Sequence, residues 1–162
     1  MLFRSPNYKS WAARGADALV VGSVVQKGAE QFDIQYKLFD IRKSQSLGGL
    51  NISASSDNLR AAAHKIADDI IMKLLGERGI FSTRLSYVIK DGKRFRLVIS
   101  DADGQNIRNA MSSGDPIISP SWSPDGKKVA YVSFEDRKPV IYVHELATGR
   151  RTALSNQKGN NS

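Results

Sequence analysis

The 162 residues, 41% of them hydrophobic, suffice for one or two globular domains, and the formal charge of +8 is spread over both halves of the chain. The sequence has no cysteine, which excludes disulfide bonds and thiolate metal sites. No apolar window reaches the roughly 18 residues of a membrane span, and the first ten residues lack the apolar core of a signal peptide. We therefore expect neither a membrane anchor nor an export signal in the chain as printed.

The first part of the chain predicts two paired strands. Residues 9–14 are compatible with a short helix in which Trp11 is a packing residue. Residues 17–25 form a nearly continuous β-branched run, which predicts a central strand buried on both faces. Residues 32–41 alternate apolar and polar side chains, so we expect them to form a second strand and a hairpin with the first.

A helix is predicted next, after a connection. Residues 43–56 are rich in Ser and Gly and are assigned to that connection. Apolar residues then recur at steps of three or four, and the resulting helix can be capped by Ser56 or Asp57 and ended by Gly76. His64 and Asp68 lie one turn apart on its polar face, a spacing that we interpret as an ion-paired surface and not as a catalytic pair.

The pattern of apolar residues changes after Gly79. Helical periodicity ends there, and short alternating segments separated by Gly, Asp and Pro turns follow. We place a domain boundary near residue 80. The predicted fold class is α+β. Residues 1–80 form part of a small α/β domain, with a mixed sheet plus helix, and residues 81–162 form roughly two blades of an incomplete β-propeller.

The second domain contains a repeat. Residues 85–88 (LSYV) are similar in sequence to residues 129–132 (VAYV), which lie about 44 residues later. This period is typical of propeller blades. The second copy reads as four strands, at residues 117–123, 128–134, 140–145 and 151–155. The first copy has no counterpart of the first of these strands. We therefore expect the chain to be a fragment of a longer protein, since propeller rings use roughly four to eight blades.

Five residues define the structural motif of the complete blade. Pro124, Asp125 and Gly126 form a tight turn, in which proline presets φ and glycine accepts a positive φ. Trp122 and Tyr131 are expected to pack between neighbouring blades.

The blade resembles the repeats of the TolB family in the stretch PSWSPDGKKVAYV at residues 120–132 and in LATG at residues 146–149. Propellers of prolyl-oligopeptidase-like enzymes also carry Trp-Ser-Pro-Asp-Gly, so this motif alone is only moderately specific. The upstream strand GADALVVG at residues 15–22 also resembles the family's N-terminal domain, and the segment GIFSTRLSYV at residues 79–88 resembles its entry into the propeller.

The resemblance implies a non-catalytic protein–protein interaction scaffold of the Tol-Pal system in the periplasm. It implies a propeller of about six blades that binds the lipoprotein Pal, supports outer-membrane integrity and cell division, and is used in colicin import. Compared with the family, the chain lacks the signal peptide, the N-terminal segment that engages TolA, the first strand and helix of the N-terminal domain, and about four blades. The TolA contact is therefore expected to be lost.

Within the family, Pal contacts the loops that precede the first strand of each blade. The matching positions are Ile117, Ile118 and Ser119 in the complete blade, and Asn160 and Asn161 at the end of the chain. Ile117 and Ile118 can also be read as ordinary strand residues, at least one of them buried.

The sequence carries no nucleophile elbow, phosphate loop or zinc-binding helix motif, so we expect no catalytic, cofactor or metal site. Two alternatives to the scaffold remain open. One is the substrate-gating propeller of a prolyl-oligopeptidase-like serine peptidase. The other is RNA binding by residues 1–80; no nucleic acid is expected, because the basic charge is not concentrated in one segment.

Overall fold

The contacts of the chain divide it into two units, one ending at Ser82 and the other beginning at Thr83. The computed structural model describes residues 4–159. The α+β class is confirmed, with one substantial helix and three antiparallel sheets in the described part of the chain.

The first unit is a three-stranded sheet with helices. A short helix, α1 (Tyr8–Ala12), is capped by Asn7, whose Oδ1 accepts the Ser10 amide at 3.1 Å. The sheet follows in the order β1-β2-β3, with every described pairing antiparallel. Its strands are β1 (Ala18–Gln26), β2 (Gln31–Asp40) and β3 (Gln45–Ser55). A 3₁₀ turn (Ser56–Asn58) leads into α2 (Leu59–Leu75), which ends at Gly76 with a φ of 74°.

The predicted helix and the β1–β2 hairpin are present, but four other predictions for this unit are wrong. The segment assigned to a connection is strand β3, so β2 and not β1 is the central strand, and the sheet is antiparallel where a mixed sheet was predicted. The valines of β1 were read as buried on both faces, yet Val24 is 64% exposed. β-Branched residues favour extended backbone at an edge as well as in a core, so their density does not establish burial.

The core of the first unit lies between β2 and α2. Tyr36 and Leu38 are buried, and they lie on the face of β2 that the alternation of its side chains predicted. The Tyr36 hydroxyl donates to the Asp69 carboxylate of α2, which also accepts from Lys73. Burial raises the pKa of Tyr36 and keeps this phenol protonated. On the opposite face Phe39 is covered by Tyr8 of α1, in an edge-to-face contact with ring centroids 6.3 Å apart.

The second unit consists of two antiparallel sheets. The first has the order β4-β5-β6, and the second has the order β10-β9-β8-β7. The strands are β4 (Arg84–Asp91), β5 (Arg94–Asp101), β6 (Arg108–Ser113), β7 (Ile117–Trp122), β8 (Lys128–Ser133), β9 (Val140–Glu145) and β10 (Arg151–Ser155). The bounds of the last four strands, β7 to β10, differ by at most one residue from those predicted for the complete blade. Among the described residues the first sheet has three strands, which agrees with the prediction that the first copy of the repeat lacks the first strand of a blade.

One hydrophobic core holds these two sheets together. Leu97 and Ile99 of β5 pack with buried residues of the other sheet, and the exposure of Leu97 is 0%. The members contributed by the second sheet are Ile117, Val129, Tyr131, Val140 and Tyr142. Between residues 83 and 159 neither sheet has a helix of its own to cover it, so burial of apolar area between the sheets is the main stabilising term in this unit.

Candidate partner-binding site

Strand β7 has a bulge in its middle. Ile118 pairs with Val132 and Ser121 pairs with Ala130, so two residues of β7, Ser119 and Pro120, lie opposite one residue of β8. Ser119 has a φ of 54°, in the left-handed region, and Pro120 has no amide hydrogen to give to a ladder. Bulges of this kind redirect side chains and commonly occur next to binding sites.

The two isoleucines before the bulge have opposite environments. Ile117 is 2% exposed and belongs to the core shared by the two sheets. Ile118 is 43% exposed. The structure therefore corrects the prediction for Ile117, which packs in the core and presents no surface to a partner, whereas Ile118 and the neighbouring Ser119 are accessible.

The loop before β7 is tied to the loop after β8. The Phe134 amide donates to the Pro116 carbonyl at 3.1 Å, and the Asp115 amide donates to the Ser113 hydroxyl at 2.9 Å. The first of these bonds holds the approach to Ile118 against the β8–β9 connection, and the second is internal to the loop before β7. A partner that reached Ile118 would meet both loops.

Charged side chains of the β8–β9 connection are also fixed. The Glu135 carboxylate accepts two hydrogen bonds from the Arg151 guanidinium, one of them at 2.9 Å, and these bonds lower the pKa of Glu135. The Arg151 guanidinium carbon lies 4.1 Å from the centroid of the Tyr142 ring, whose hydroxyl donates to Asp136 at 3.2 Å. Paired in this way, Glu135 stays ionised through the neutral range.

The predicted Pro-Asp-Gly turn closes the other end of β7. The Gly126 amide donates to the Ser123 carbonyl at 2.9 Å, which places Pro124 at the second position of the turn. Asp125 accepts from the Ser123 hydroxyl at 2.6 Å and from the Lys127 amide at 3.0 Å, and the first of these bonds is the main cause of its lowered pKa. Gly126 has a φ of 66°, a conformation that suits glycine. These residues are structural and lie away from Ile118.

Trp122 and Tyr131 lie where the two sheets meet. Tyr131 is 1% exposed and stacks on Tyr142 with ring centroids 6.1 Å apart. Trp122 is half-buried against the same core, and the Arg84 guanidinium carbon of the first sheet lies 4.8 Å from the centroid of its ring. Both side chains therefore occupy the space between the sheets.

Two predicted site residues, Asn160 and Asn161, lie outside the described residues. The bulge itself was missed by sequence reasoning, although a proline in the middle of a strand is a signal for one. Between Arg4 and Gly159 no group of three or more His, Asp or Glu residues is arranged to hold a metal ion, and no described helix is long and apolar enough to span a membrane.

Comparison with known families gives two matches on this chain. Residues 71–162 match the TolB beta propeller domain, and residues 3–47 match the TolB amino-terminal domain. The first match covers more than half of the chain.

A solved TolB structure is also similar to this chain. The crystal structure of TolB from Acinetobacter baumannii is 37% identical, with a TM-score of 0.89 over 95% of this chain and 39% of its own. The β-propeller domain of the trilobed protease from Pyrococcus furiosus is 11% identical, with a TM-score of 0.38 over 86% of this chain and 40% of its own. This chain therefore spans about 39% of the length of the solved TolB structure that it matches.

Proposed function

Because the chain belongs to the TolB family, we propose that it is a non-catalytic interaction scaffold of the Tol-Pal cell-envelope system and that it binds the lipoprotein Pal. The proposal places the protein in the periplasm, where it supports outer-membrane integrity and cell division and is open to use by colicins. No feature of the described residues favours the peptidase alternative, so we make no second proposal.

The exposure of Ile118 carries the proposal. An isoleucine that is 43% exposed lies directly after one that is 2% exposed, on a strand whose backbone is held by pairing to β8. An apolar side chain on a rigid element loses little conformational entropy when a partner covers it, so burial of its surface contributes most of its free energy to binding. The family resemblance assigns Pal contacts to this end of the blade.

Ser119 and the paired loops complete the proposed surface. The left-handed backbone of Ser119 turns its peptide groups out of the ladder, where a partner can form hydrogen bonds with them. Ile118 gives this surface an apolar centre, and the exposed Gly114 and Asp115 before β7 contribute polar groups beside it. An apolar centre with a polar rim is the usual arrangement of a protein–protein interface.

We expect Ile118→Asp to weaken Pal binding by roughly 30-fold or more, about 2 kcal/mol, because the new carboxylate would be desolvated in the complex without a partner. Isothermal titration of the chain with purified Pal measures this change. The matched control is Ile107→Asp, which makes the same substitution at an isoleucine that is 60% exposed and lies before β6. A folded Ile118→Asp variant with unchanged affinity, or an unmodified chain that does not bind Pal, would overturn the proposal.

A further inference from the structure

A cleft of about 580 Å³ lies between the two sheets of the second unit, at the end of β7 opposite to Ile118. Its walls come from both sheets, with Arg84 and Arg108 on the first and Lys127 and His144 on the second. Pockets of about 300–1,000 Å³ are typical of small-ligand sites. The site proposed for Pal uses none of these residues.

The cleft has an excess of positive charge. Three of its lining side chains, Arg84, Arg108 and Lys127, are basic, and one, Glu145, is acidic. The Glu145 carboxylate accepts from the Thr148 hydroxyl at 2.6 Å and lies 3.8 Å from the Arg150 guanidinium. Because groups outside the lining already compensate Glu145, the cleft favours an anion.

Arg84 is held in place before any ligand arrives. Its guanidinium packs on the Trp122 ring, and one of its nitrogens donates to the Gly126 carbonyl. A guanidinium fixed by stacking and a backbone hydrogen bond loses little freedom when it binds a carboxylate. The basic wall is therefore preorganised at this position.

His144 lies in the wall of the cleft and is almost completely buried. It is 6% exposed, and its Nδ1 has no hydrogen-bond partner among residues 4–159. Burial and the nearby charge of Arg151 lower the pKa of His144, so the imidazole is neutral at neutral pH and can carry its single proton on Nδ1. A neutral imidazole leaves the charge of the cleft unchanged, and its signals can report on a ligand that lies against the wall.

Part of the cleft wall is apolar. Ile99, Ala110, Leu146 and Ala147 line it beside the charged groups. An inorganic anion would leave this surface exposed to water, whereas a ligand with an adjoining apolar group would cover it. The lining thus combines groups that attract a carboxylate with a surface that accepts an aliphatic side chain.

We propose that this cleft binds the end of a peptide, with its free C-terminal carboxylate facing the basic side chains Arg84, Arg108 and Lys127 and an apolar last side chain against Ile99 and Leu146. His144, in the wall of the cleft, lies beside the bound peptide. Capture of a chain terminus by converging donors is a known mode of peptide recognition.

The test uses the imidazole signals of the chain, which has only two histidines. His64 lies on α2 in the first unit and serves as the internal reference. The probe is the dipeptide acetyl-alanyl-leucine with a free carboxylate, and its C-terminal amide is the control ligand. We expect the ¹⁵N and ¹H signals of His144 to move in a saturable way, with a dissociation constant on the order of 1 mM, while those of His64 stay in place.

Two neighbouring lysines provide a matched pair of variants. Lys127→Gln should weaken the binding of the acid by about tenfold, because it removes a charged donor from the lining. Lys128→Gln makes the same change in net charge at a residue outside the lining and should leave the dissociation constant within about twofold. The proposal is overturned if His144 does not respond to the acid, if the amide or inorganic phosphate moves its signals equally, or if both variants weaken binding alike.

Discussion

Replacing Leu97 by alanine is expected to lower the free energy of unfolding by about 2–5 kcal/mol. Leu97 is 0% exposed and lies on the central strand of the first sheet, where it packs in the core that both sheets share. The substitution leaves a cavity between two sheets that have no other layer to collapse onto it. Urea denaturation in a Trp11→Phe background measures the effect, because Trp122 at the edge of this core is then the sole tryptophan.

Leu154→Ala is the matched control, since this leucine of β10 is 68% exposed. It should change the free energy of unfolding by no more than about 0.5 kcal/mol. Equal losses in the two variants would show that the core between the sheets does not hold the second unit together.

Gly49→Ala is expected to disrupt the pairing of β2 with β3, at a cost of about 3 kcal/mol. A Cβ at Gly49 would lie 1.9 Å from the Tyr36 carbonyl oxygen and 2.9 Å from its carbon, so two backbones that are paired in the sheet would have to separate. The neighbouring Gly48 has a φ of 90°, and the register shifts opposite it between Leu38 and Phe39. This irregular pairing leaves little room for an added methyl group.

Hydrogen exchange followed by mass spectrometry measures this effect locally. Peptides from residues 31–55 should exchange faster in Gly49→Ala, while peptides from residues 84–155 keep their protection. Gly28→Ala serves as the control, because no described atom beyond its two chain neighbours lies within 4 Å of its added Cβ and its φ is not in the left-handed region. Unchanged protection of residues 31–55 in Gly49→Ala would contradict the tight approach of the two strands.

The four strands of the complete blade could be predicted closely because they lie between turns with specific chemistry. In strand β9 (Val140–Glu145) the burial of the side chains also alternates along the strand. Strand β3 escaped prediction because its Ser, Gly and Asn residues have little intrinsic preference for extended structure. It forms because β2 offers an unpaired edge, a tertiary effect that local sequence does not record.

The candidate sites show a similar limit. Ile117 and Ile118 are identical in type, and only the geometry of β7 decides that the first is buried and the second exposed. Pro120 was the local sign of that geometry. The cleft lined by His144 could not be predicted from the sequence, because its walls come from strands and turns that are far apart along the chain, from Arg84 to Gly149.

The most direct test of the central claim is photocrosslinking to purified Pal with benzoylphenylalanine placed at position 118. If Ile118 lies at the centre of a Pal-binding surface, irradiation should give a crosslinked product whose yield falls when unlabelled chain is added as a competitor. The same probe at position 107, which is also an exposed isoleucine, should give no product. Crosslinking from position 107 but not from position 118, or from neither, would contradict the account.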